Sequence, residues 1–257
     1  MSDAGLLAAQ VRTTNRAFWR NPASAFFTFA FPLMFLVIFT SLLGSGRTEV
    51  DPGIFIDQAN YFVAAMAAFA VISATYTNLA ISVTFIRDAG ILKRTRGSPL
   101  PGGIYLSGRV IHAMLITLLL VVITTAFGVA FYDADVPTGE LLGEYFVTVI
   151  VGAMAFSALG LATTAIVPNA EAAPAVVNAI ILPLLFLSGV FIPLADAPEW
   201  MKVAGDIFPV KHFLEAMLGS FYGPPLSFQW IDVLIVAAWG VAGLVAAIFF
   251  FSWEPRK

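Results

Sequence analysis

The sequence of 257 residues is 60% hydrophobic and 11% charged, against about 45–50% and about 25% in soluble globular domains. A soluble domain of this length would expose its surplus apolar residues as large patches, so the composition favours a membrane protein. The net charge of −3 gives no indication of a nucleic-acid partner, and the absence of cysteine excludes disulfides and thiol chemistry. Since no polar linker interrupts the chain, we expect one domain over residues 1–257.

The first predicted element is an amphipathic helix over residues 5–20. Its apolar face consists of Leu7, Val11, Thr14 and Phe18. Its opposite, basic face consists of Arg12, Arg16 and Arg20. This pattern is typical of a helix that lies in the inner headgroup layer with its arginines near anionic lipid. An ordinary basic flank that fixes topology is the alternative. Asn21-Pro22 should end the helix and turn the chain into the membrane.

Six charge-free stretches follow, of 21–29 residues each. A helix that crosses a bilayer needs ~20 predominantly apolar residues, so each stretch is long enough. The apolar runs are continuous and do not alternate, which favours helices over the strands of a barrel. The sequence therefore predicts an all-α integral membrane protein with six transmembrane helices. Their predicted bounds are 23–44, 60–86, 104–131, 145–167, 175–194 and 230–252.

Lysine and arginine predict the orientation of these spans. Ten basic residues fall on one side of a six-span arrangement and three on the other. The ten are Arg12, Arg16, Arg20, Arg87, Lys93, Arg94, Arg96, Arg109, Arg256 and Lys257; the three are Arg47, Lys202 and Lys211. Because basic residues are concentrated on the cytoplasmic side, we expect a multi-pass protein of the cell membrane with both termini in the cytoplasm.

Residues 87–103 form the largest predicted cytoplasmic loop, and its first ten positions carry a net charge of +3. A short helix is expected from Asp88, as N-cap, to about Arg96. Ile91 and Leu92 would be exposed apolar residues on this helix unless another element covers them. A loop that only fixes topology needs the charges but no exposed apolar pair, so we favour a docking element over that alternative.

Residues 196–222, on the predicted outer side, should form two short helices. Asp196 and Glu199 have the spacing of a capping box ahead of the first, and an apolar periodic run follows Pro209. Helices of this length cannot cross ~30 Å of hydrocarbon, so they would lie on the outer leaflet or dip into it. His212 is expected on a polar face and not as a metal ligand, because no second histidine or acid is suitably spaced beside it.

The same sequence excludes several functions. No Asp, Glu, Lys or Arg lies inside the six charge-free stretches, which argues against an ion-coupled carrier, although not against a passive pore. No hydrolase or metalloprotease motif is present, and no lysine follows a glycine as a phosphate-binding loop requires. If transport is energised, the ATPase must be another chain.

Four segments carry a resemblance to a known family. They are Trp19-Arg20-Asn21-Pro22, the run 87–94 that leads to Ser98-Pro99-Leu100, the run Leu187-Ser188-Gly189-Val190-Phe191-Ile192-Pro193-Leu194, and Phe208-Pro209 with the helix after it. In their order and spacing they resemble the permease subunits of type 2 ABC exporters, which move drugs, lipids and polysaccharide precursors outward. The resemblance covers nearly the whole chain. Asp88 departs from the family, whose members commonly carry Glu there.

The resemblance implies a non-enzymatic permease that pairs with a second copy or a paralogue above two separate ABC ATPase subunits. The ATPases would hold ATP and Mg, so no cofactor is expected on this chain. The implied coupling residues are Arg87, Asp88, Gly90, Ile91, Leu92, Lys93 and Arg94. A drug-like or lipid-like amphiphile is the expected substrate. A glycan precursor, a passive channel and an ATP-independent carrier are the alternatives.

Two stripes within the predicted spans are further candidates. A polar stripe on the second span is a candidate pathway lining and consists of Ser73, Thr77 and Thr84. A face of small side chains on the fourth span would suit close helix packing in a dimer and consists of Ala153, Ser157, Gly160 and Thr164. Both stripes would equally suit packing within one protomer, and the sequence does not separate the two possibilities.

Overall fold

The computed structural model describes residues 2–43, 46–51, 53–223, 226 and 228–254, and this part of the chain is helical apart from one β-hairpin. Arg256 and Lys257, two of the ten basic residues above, lie outside the described residues. Within these described residues, five helices are long and apolar enough to cross a membrane. They are α2 (Pro22–Leu43), the continuous helix made of α3 (Gln58–Ile72), a π-helical segment (Ser73–Thr77) and α4 (Asn78–Asp88), then α6 (Gly102–Tyr132), α7 (Glu140–Thr163) and α11 (Trp230–Phe250).

The remaining elements are short. They are α1 (Asp3–Trp19), β1 (Arg47–Asp51), β2 (Ile54–Asp57), α5 (Ile91–Arg96), α8 (Ala173–Leu187), α9 (Glu199–Ile207) and α10 (Pro209–Tyr222). The two strands pair antiparallel, with Arg47 opposite Asp57. This hairpin corrects the all-α prediction, because strands of five and four residues are too short to stand out from a loop. In α1 the predicted apolar face is half-buried and the three arginines are exposed.

Helix α3 lies at the centre of the bundle, and every residue from Asn60 to Ile72 is buried. Five alanines between residues 64 and 70 leave room for neighbouring helices on all sides. The approach of α6 is so close that a Cβ on Gly128 would collide with the side chain of Val63. Around this centre pack α2, α6, α7 and α10.

Helix α7 uses its small residues to contact neighbours within the same chain. A Cβ on Gly160 would lie 2.8 Å from the carbonyl oxygen of Tyr76, and one on Gly240 of α11 would lie 2.8 Å from the Cα of Ala155. The predicted face Ala153, Ser157, Gly160 and Thr164 is buried by these neighbours. Of the two possibilities that the sequence left open, packing within one protomer is therefore the one found.

The fifth predicted span, 175–194, is helical only over Ala173–Leu187. Its fifteen residues are about 22 Å long, short of the ~30 Å hydrocarbon core. The chain turns beyond Leu187 because Gly189 adopts a left-handed conformation, with φ of 89°. The hydroxyl of Tyr61 donates a hydrogen bond of 2.6 Å to the Gly189 carbonyl and holds this turn against α3.

Residues 196–222 form the two short helices that the sequence predicts, although with different caps and surroundings. Pro198 occupies the N-cap position of α9 and no side chain caps this helix, so the capping box is wrong. The α10 helix is buried on nearly all sides among α3, α7 and α11. An amphipathic helix on the membrane surface would expose one face, so α10 is part of the bundle interior.

Candidate functional site

The segment between the second and third long helices is the first candidate site, and we call residues 87–103 the coupling segment. Asp88 is the last residue of α4, whereas Gly90 holds the N-cap position of α5 with φ of 69°. The predicted N-cap at Asp88 is therefore wrong. Glycine suits the turn because this φ strains any residue that carries a Cβ.

The two apolar residues of α5 have opposite environments. Ile91 is 44% exposed, whereas Leu92 is fully buried, because other parts of the bundle cover Leu92. Neighbouring residues on a helix point about 100° apart, and only one of these two can face the bundle. Leu92 packs in a cluster with Leu79, Val83, Tyr105, Leu161 and Ala247. The cluster fastens α5 to the ends of α4, α6, α7 and α11.

The residues after α11 hold the coupling segment from a second side. The Trp253 ring lies over Gly102, where an added Cβ would be 2.5 Å from the ring atom Cη2. Lys93 and Glu254 form an ion pair at 3.5 Å, with both side chains mostly exposed. The sequence did not indicate these contacts, because about 150 residues separate the partners along the chain.

Arg87 is buried, with 1% of its surface exposed, and binds the end of α7. Its Nη1 donates a hydrogen bond of 2.8 Å to the carbonyl of Thr164, and its Nη2 donates to those of Val167 (2.8 Å) and Pro168 (3.3 Å). A cation is favourable here because the last carbonyls of a helix lack intrahelical donors. The side chain of Arg87, one of the implied coupling residues, is therefore bound within the chain.

Asp88 completes this connection between α4 and the turn that follows α7. Its Oδ2 accepts a hydrogen bond of 2.5 Å from the backbone N–H of Ala170, and its Oδ1 lies 3.5 Å from the Nε of Arg87. Arg87 and Asp88 together join the ends of α4, α7 and α8. A displacement of the coupling segment would thus be transmitted to three helices.

The part of α5 that a partner could contact is a small basic surface. We define the basic face as its exposed residues Ile91, Lys93, Arg94 and Arg96. It presents one apolar side chain among three cations. Such a surface is complementary to an apolar hollow bordered by acids.

The three candidate pathway residues do not form one open polar surface in this structure. Ser73 and Thr77 are partly exposed at the two ends of the π-helical segment. Thr84 is buried, and its hydroxyl donates a hydrogen bond of 2.8 Å to the Ala80 carbonyl of its own helix. Because π-helical segments are rare and often mark functional positions, Ser73 and Thr77 stay the better candidates.

A second site joins α10 to the start of α11, and we call Asp206, Lys211, His212, Glu215 and Asp232 the outer cluster. His212 Nδ1 lies 2.8 Å from Asp232 Oδ1, and its Nε2 donates to the Asp206 carbonyl at 2.9 Å. The statement that no acid lies suitably beside His212 is therefore wrong. Glu215 lies one helical turn after His212 on α10. Asp232 lies on another helix, and the spacing of residues along the sequence cannot indicate that contact.

The outer cluster offers metal ligands, yet its charges are already compensated. One ligand atom each from His212, Glu215 and Asp232 lies within 4.8 Å of the others. Lys211 bonds to Asp206 and lies 3.6 Å from Glu215, while Asp232 occupies the Nδ1 of His212. These contacts form an ion-pair network that fastens α10 to α11.

Burial alone would lower the pKa of His212, but the hydrogen bonds to Asp232 and the Asp206 carbonyl, with the nearby Glu215 charge, raise it above its ordinary value. A raised pKa in the folded protein stabilises it at pH below ~6.5, and this contribution is lost as pH rises through the folded-state pKa. We expect the melting temperature of the purified chain to fall as pH rises above ~6.5 for this reason.

The matched variant is His212→Gln, which keeps polarity but does not titrate. Asp206, Lys211, Glu215 and Asp232 face the imidazole in both proteins, so the difference between the two pH profiles isolates the histidine. The variant should show a shallower decline across that range. Parallel profiles would contradict the charged His212–Asp232 pair.

Comparisons with known proteins find a matching family model and several similar permeases. A family model described as ABC-2 type transporter matches residues 6–222. A putative transport permease, YvfS of Bacillus subtilis, is 26% identical over 220 residues, which cover 86% of each chain. The daunorubicin resistance permease DrrB1 of Streptomyces coeruleorubidus is 25% identical over 84% of this chain and 73% of its own length. A probable multidrug permease of Escherichia coli, YbhR, is 24% identical over 52% of this chain and 36% of its own length.

Proposed function

Because this chain belongs to the ABC-2 type transporter family, we propose that it forms the export pathway of an ATP-driven exporter for a hydrophobic or amphiphilic substrate. As an ABC-2 permease it is a non-catalytic, multi-pass membrane subunit, and ABC permeases pair with ATPase subunits. In this proposal ATP and Mg are bound by a separate ATPase chain, and a second permease copy or a paralogue completes the dimer.

The observation that carries the proposal is the way α5 is attached. Its basic face is exposed, while Leu92 lies in the cluster at the ends of four helices. An ATPase that moves against the basic face would displace α4 and α6 together, because both are joined to α5 through short turns. Arg87 and Asp88 would extend that movement to α7 and α8.

We also propose that the chain crosses the membrane six times. In this arrangement α8 and the turn after it together form the additional span, beside the five long helices. The surface for the second permease then lies away from the small face of α7, since this chain fills that face itself. Two similar proteins are named for multidrug transport and daunorubicin resistance, which supports a drug-like amphiphile as the substrate class.

The predicted orientation can be checked by cysteine accessibility, because the natural chain has no cysteine and gives no background. Thr138→Cys lies in the exposed turn before α7, and Ser98→Cys lies in the exposed turn after α5. A membrane-impermeant maleimide added to intact cells should label Thr138→Cys and leave Ser98→Cys unlabelled until the membrane is opened. Labelling of Ser98→Cys in intact cells would place the coupling segment outside and contradict the orientation.

The proposed function itself is tested by reconstitution into liposomes. We expect the purified chain alone to hydrolyse no ATP, and the chain with its ATPase to expel an amphiphilic dye only when ATP is present. The ATPase with a catalytic substitution is the control for leakage. Equal dye movement by the chain without the ATPase would favour the passive channel.

A further inference from the structure

A cleft of about 400 Å³ lies between α1, α4 and α6, on the same side of the molecule as the coupling segment. Its polar lining includes Asn78 and Ser82 of α4 and Arg109 and His112 of α6, and its apolar lining includes Phe18 and Ile116. None of these residues takes part in the proposed contact with the ATPase.

The cleft exists because α1 lies across α6. Gly108 permits this crossing, since a Cβ there would lie 2.5 Å from the Cγ of Gln10. Further along α1, the ring of Phe18 packs edge-on against His112, with 5.5 Å between the ring centroids. These two contacts position α1 over the cleft as its outer wall.

Two polar groups in the cleft, the His112 ring and the Arg109 guanidinium, lack the partners that such groups usually have. His112 is 7% exposed, and its Nδ1 makes no hydrogen bond to any residue that the structure describes. Buried polar atoms are nearly always paired, so this nitrogen is available to a polar group that enters the cleft. The guanidinium of Arg109 contacts the Tyr105 ring and hydroxyl. Among the residues that the structure describes, no carboxylate forms an ion pair with Arg109.

We propose that this cleft binds the phosphate head group of an anionic lipid from the leaflet on the α1 side. Arginine presents a planar fork of donors that matches a phosphate, and a hydrogen bond to a charged group is stronger than one between neutral groups. Asn78, Ser82 and the His112 ring add neutral polar groups around the anion. Phe18, Leu79 and Ile116 provide an apolar wall for the upper part of an acyl chain.

The test is competition between two lipids for the full-length chain. The chain is purified in mixed micelles of dodecyl maltoside with equal amounts of phosphatidylglycerol and phosphatidylcholine, and native mass spectrometry counts the lipid that stays bound. We expect the wild-type chain to retain phosphatidylglycerol over phosphatidylcholine by about tenfold, because the choline ammonium of phosphatidylcholine would lie near the Arg109 guanidinium and offset the attraction to the phosphate. Arg109→Gln should lose this preference, and Arg109→Lys should keep most of it.

Two further variants separate the cleft from general charge effects. Arg96→Gln removes an exposed cation of the basic face and should leave the preference unchanged. Ser82→Leu should block the cleft while leaving every charge in place. It replaces a hydroxyl that donates a hydrogen bond of 3.3 Å to the Leu79 carbonyl of its own helix. It should lose bound lipid even if Arg109→Gln fails to fold.

Three outcomes would overturn the proposal. The wild-type chain could show no preference for phosphatidylglycerol, or Arg96→Gln could reduce the preference as much as Arg109→Gln. Release of the lipid by millimolar inorganic phosphate alone would make the cleft a site for a soluble phosphate and not for a lipid. None of these measurements involves the ATPase, so they leave the proposed export function untouched.

Discussion

Replacement of Arg87 by methionine should destabilise the folded chain more than any substitution on its exposed surface. Methionine keeps the apolar stem but removes the donors to Thr164, Val167 and Pro168, and it leaves Asp88 without its cation. Removal of one partner from a buried ionic network costs about 3–5 kcal/mol. Because proteins are stable by only ~5–15 kcal/mol, such a loss should lower the melting temperature strongly and reduce the yield of folded chain.

The matched control for this prediction is Arg96→Met, which makes the same chemical change on the exposed basic face. It should unfold at the wild-type temperature in the same detergent. Arg87→Lys should be intermediate, since lysine keeps the charge but lacks the fork that reaches several carbonyls. If Arg87→Met were as stable as Arg96→Met, the connection of α4 to the end of α7 would be unimportant for stability.

Much of the fold follows from the sequence, because charges are rare and separate the long helices clearly. The predicted bounds of five spans agree with the long helices to within about five residues, and the breaker Asn21-Pro22 separates α1 from α2. The coupling helix and the pair α9–α10 were also predicted from their length and their flanking residues. These features depend on local chemistry, which the order of residues determines directly.

Several failed predictions concern which face of a helix is covered by neighbouring helices, and these failures have a common physical cause. In a membrane protein apolar residues face both the interior and the lipid, so hydropathy does not distinguish the two environments. Phe26 is 65% exposed, whereas Phe62 is fully buried. In the same way Ile91 and Leu92 are equivalent in the sequence, and only the positions of the surrounding helices separate them.

The polar contacts were missed for a different reason. Arg87 and the carbonyls that it binds are about 80 residues apart, and His212 and Asp232 lie on different helices. Arg87 looked like one of several basic residues that fix topology, and nothing in its neighbourhood indicated burial. The sequence predicts Asp88 as an N-cap because it precedes a short helix. In the structure its carboxylate accepts a hydrogen bond from Ala170, in the turn that follows α7.

Substitution of Ile91 by aspartate should uncouple the permease from its ATPase without unfolding it. Ile91 is 44% exposed and is the one apolar side chain on the basic face. Burying it in a partner is worth ~1.5–3 kcal/mol, and a buried aspartate adds a desolvation cost, so association should weaken by roughly a hundredfold or more. The melting temperature should stay at the wild-type value because Leu92, which holds α5 to the bundle, is unchanged.

The control for this substitution is Ile166→Asp, which places the same charge on a residue that is 62% exposed in the turn after α7 and is not part of the basic face. It tests whether any added acid at this end of the molecule disturbs assembly. Leu92→Asp is the comparison in which the substituted residue is buried inside the protein. It should unfold the chain itself, because it places a charge inside the apolar cluster at the ends of four helices.

Co-purification of the ATPase with the Ile91→Asp chain, measured with ATP-dependent export by the same complex, tests most directly whether the basic face of α5 couples the two subunits. We predict that Ile91→Asp loses both the bound ATPase and export, while Ile166→Asp keeps both. Normal amounts of bound ATPase together with normal export by Ile91→Asp would contradict coupling through α5 and would leave the coupling segment as a loop that only fixes topology.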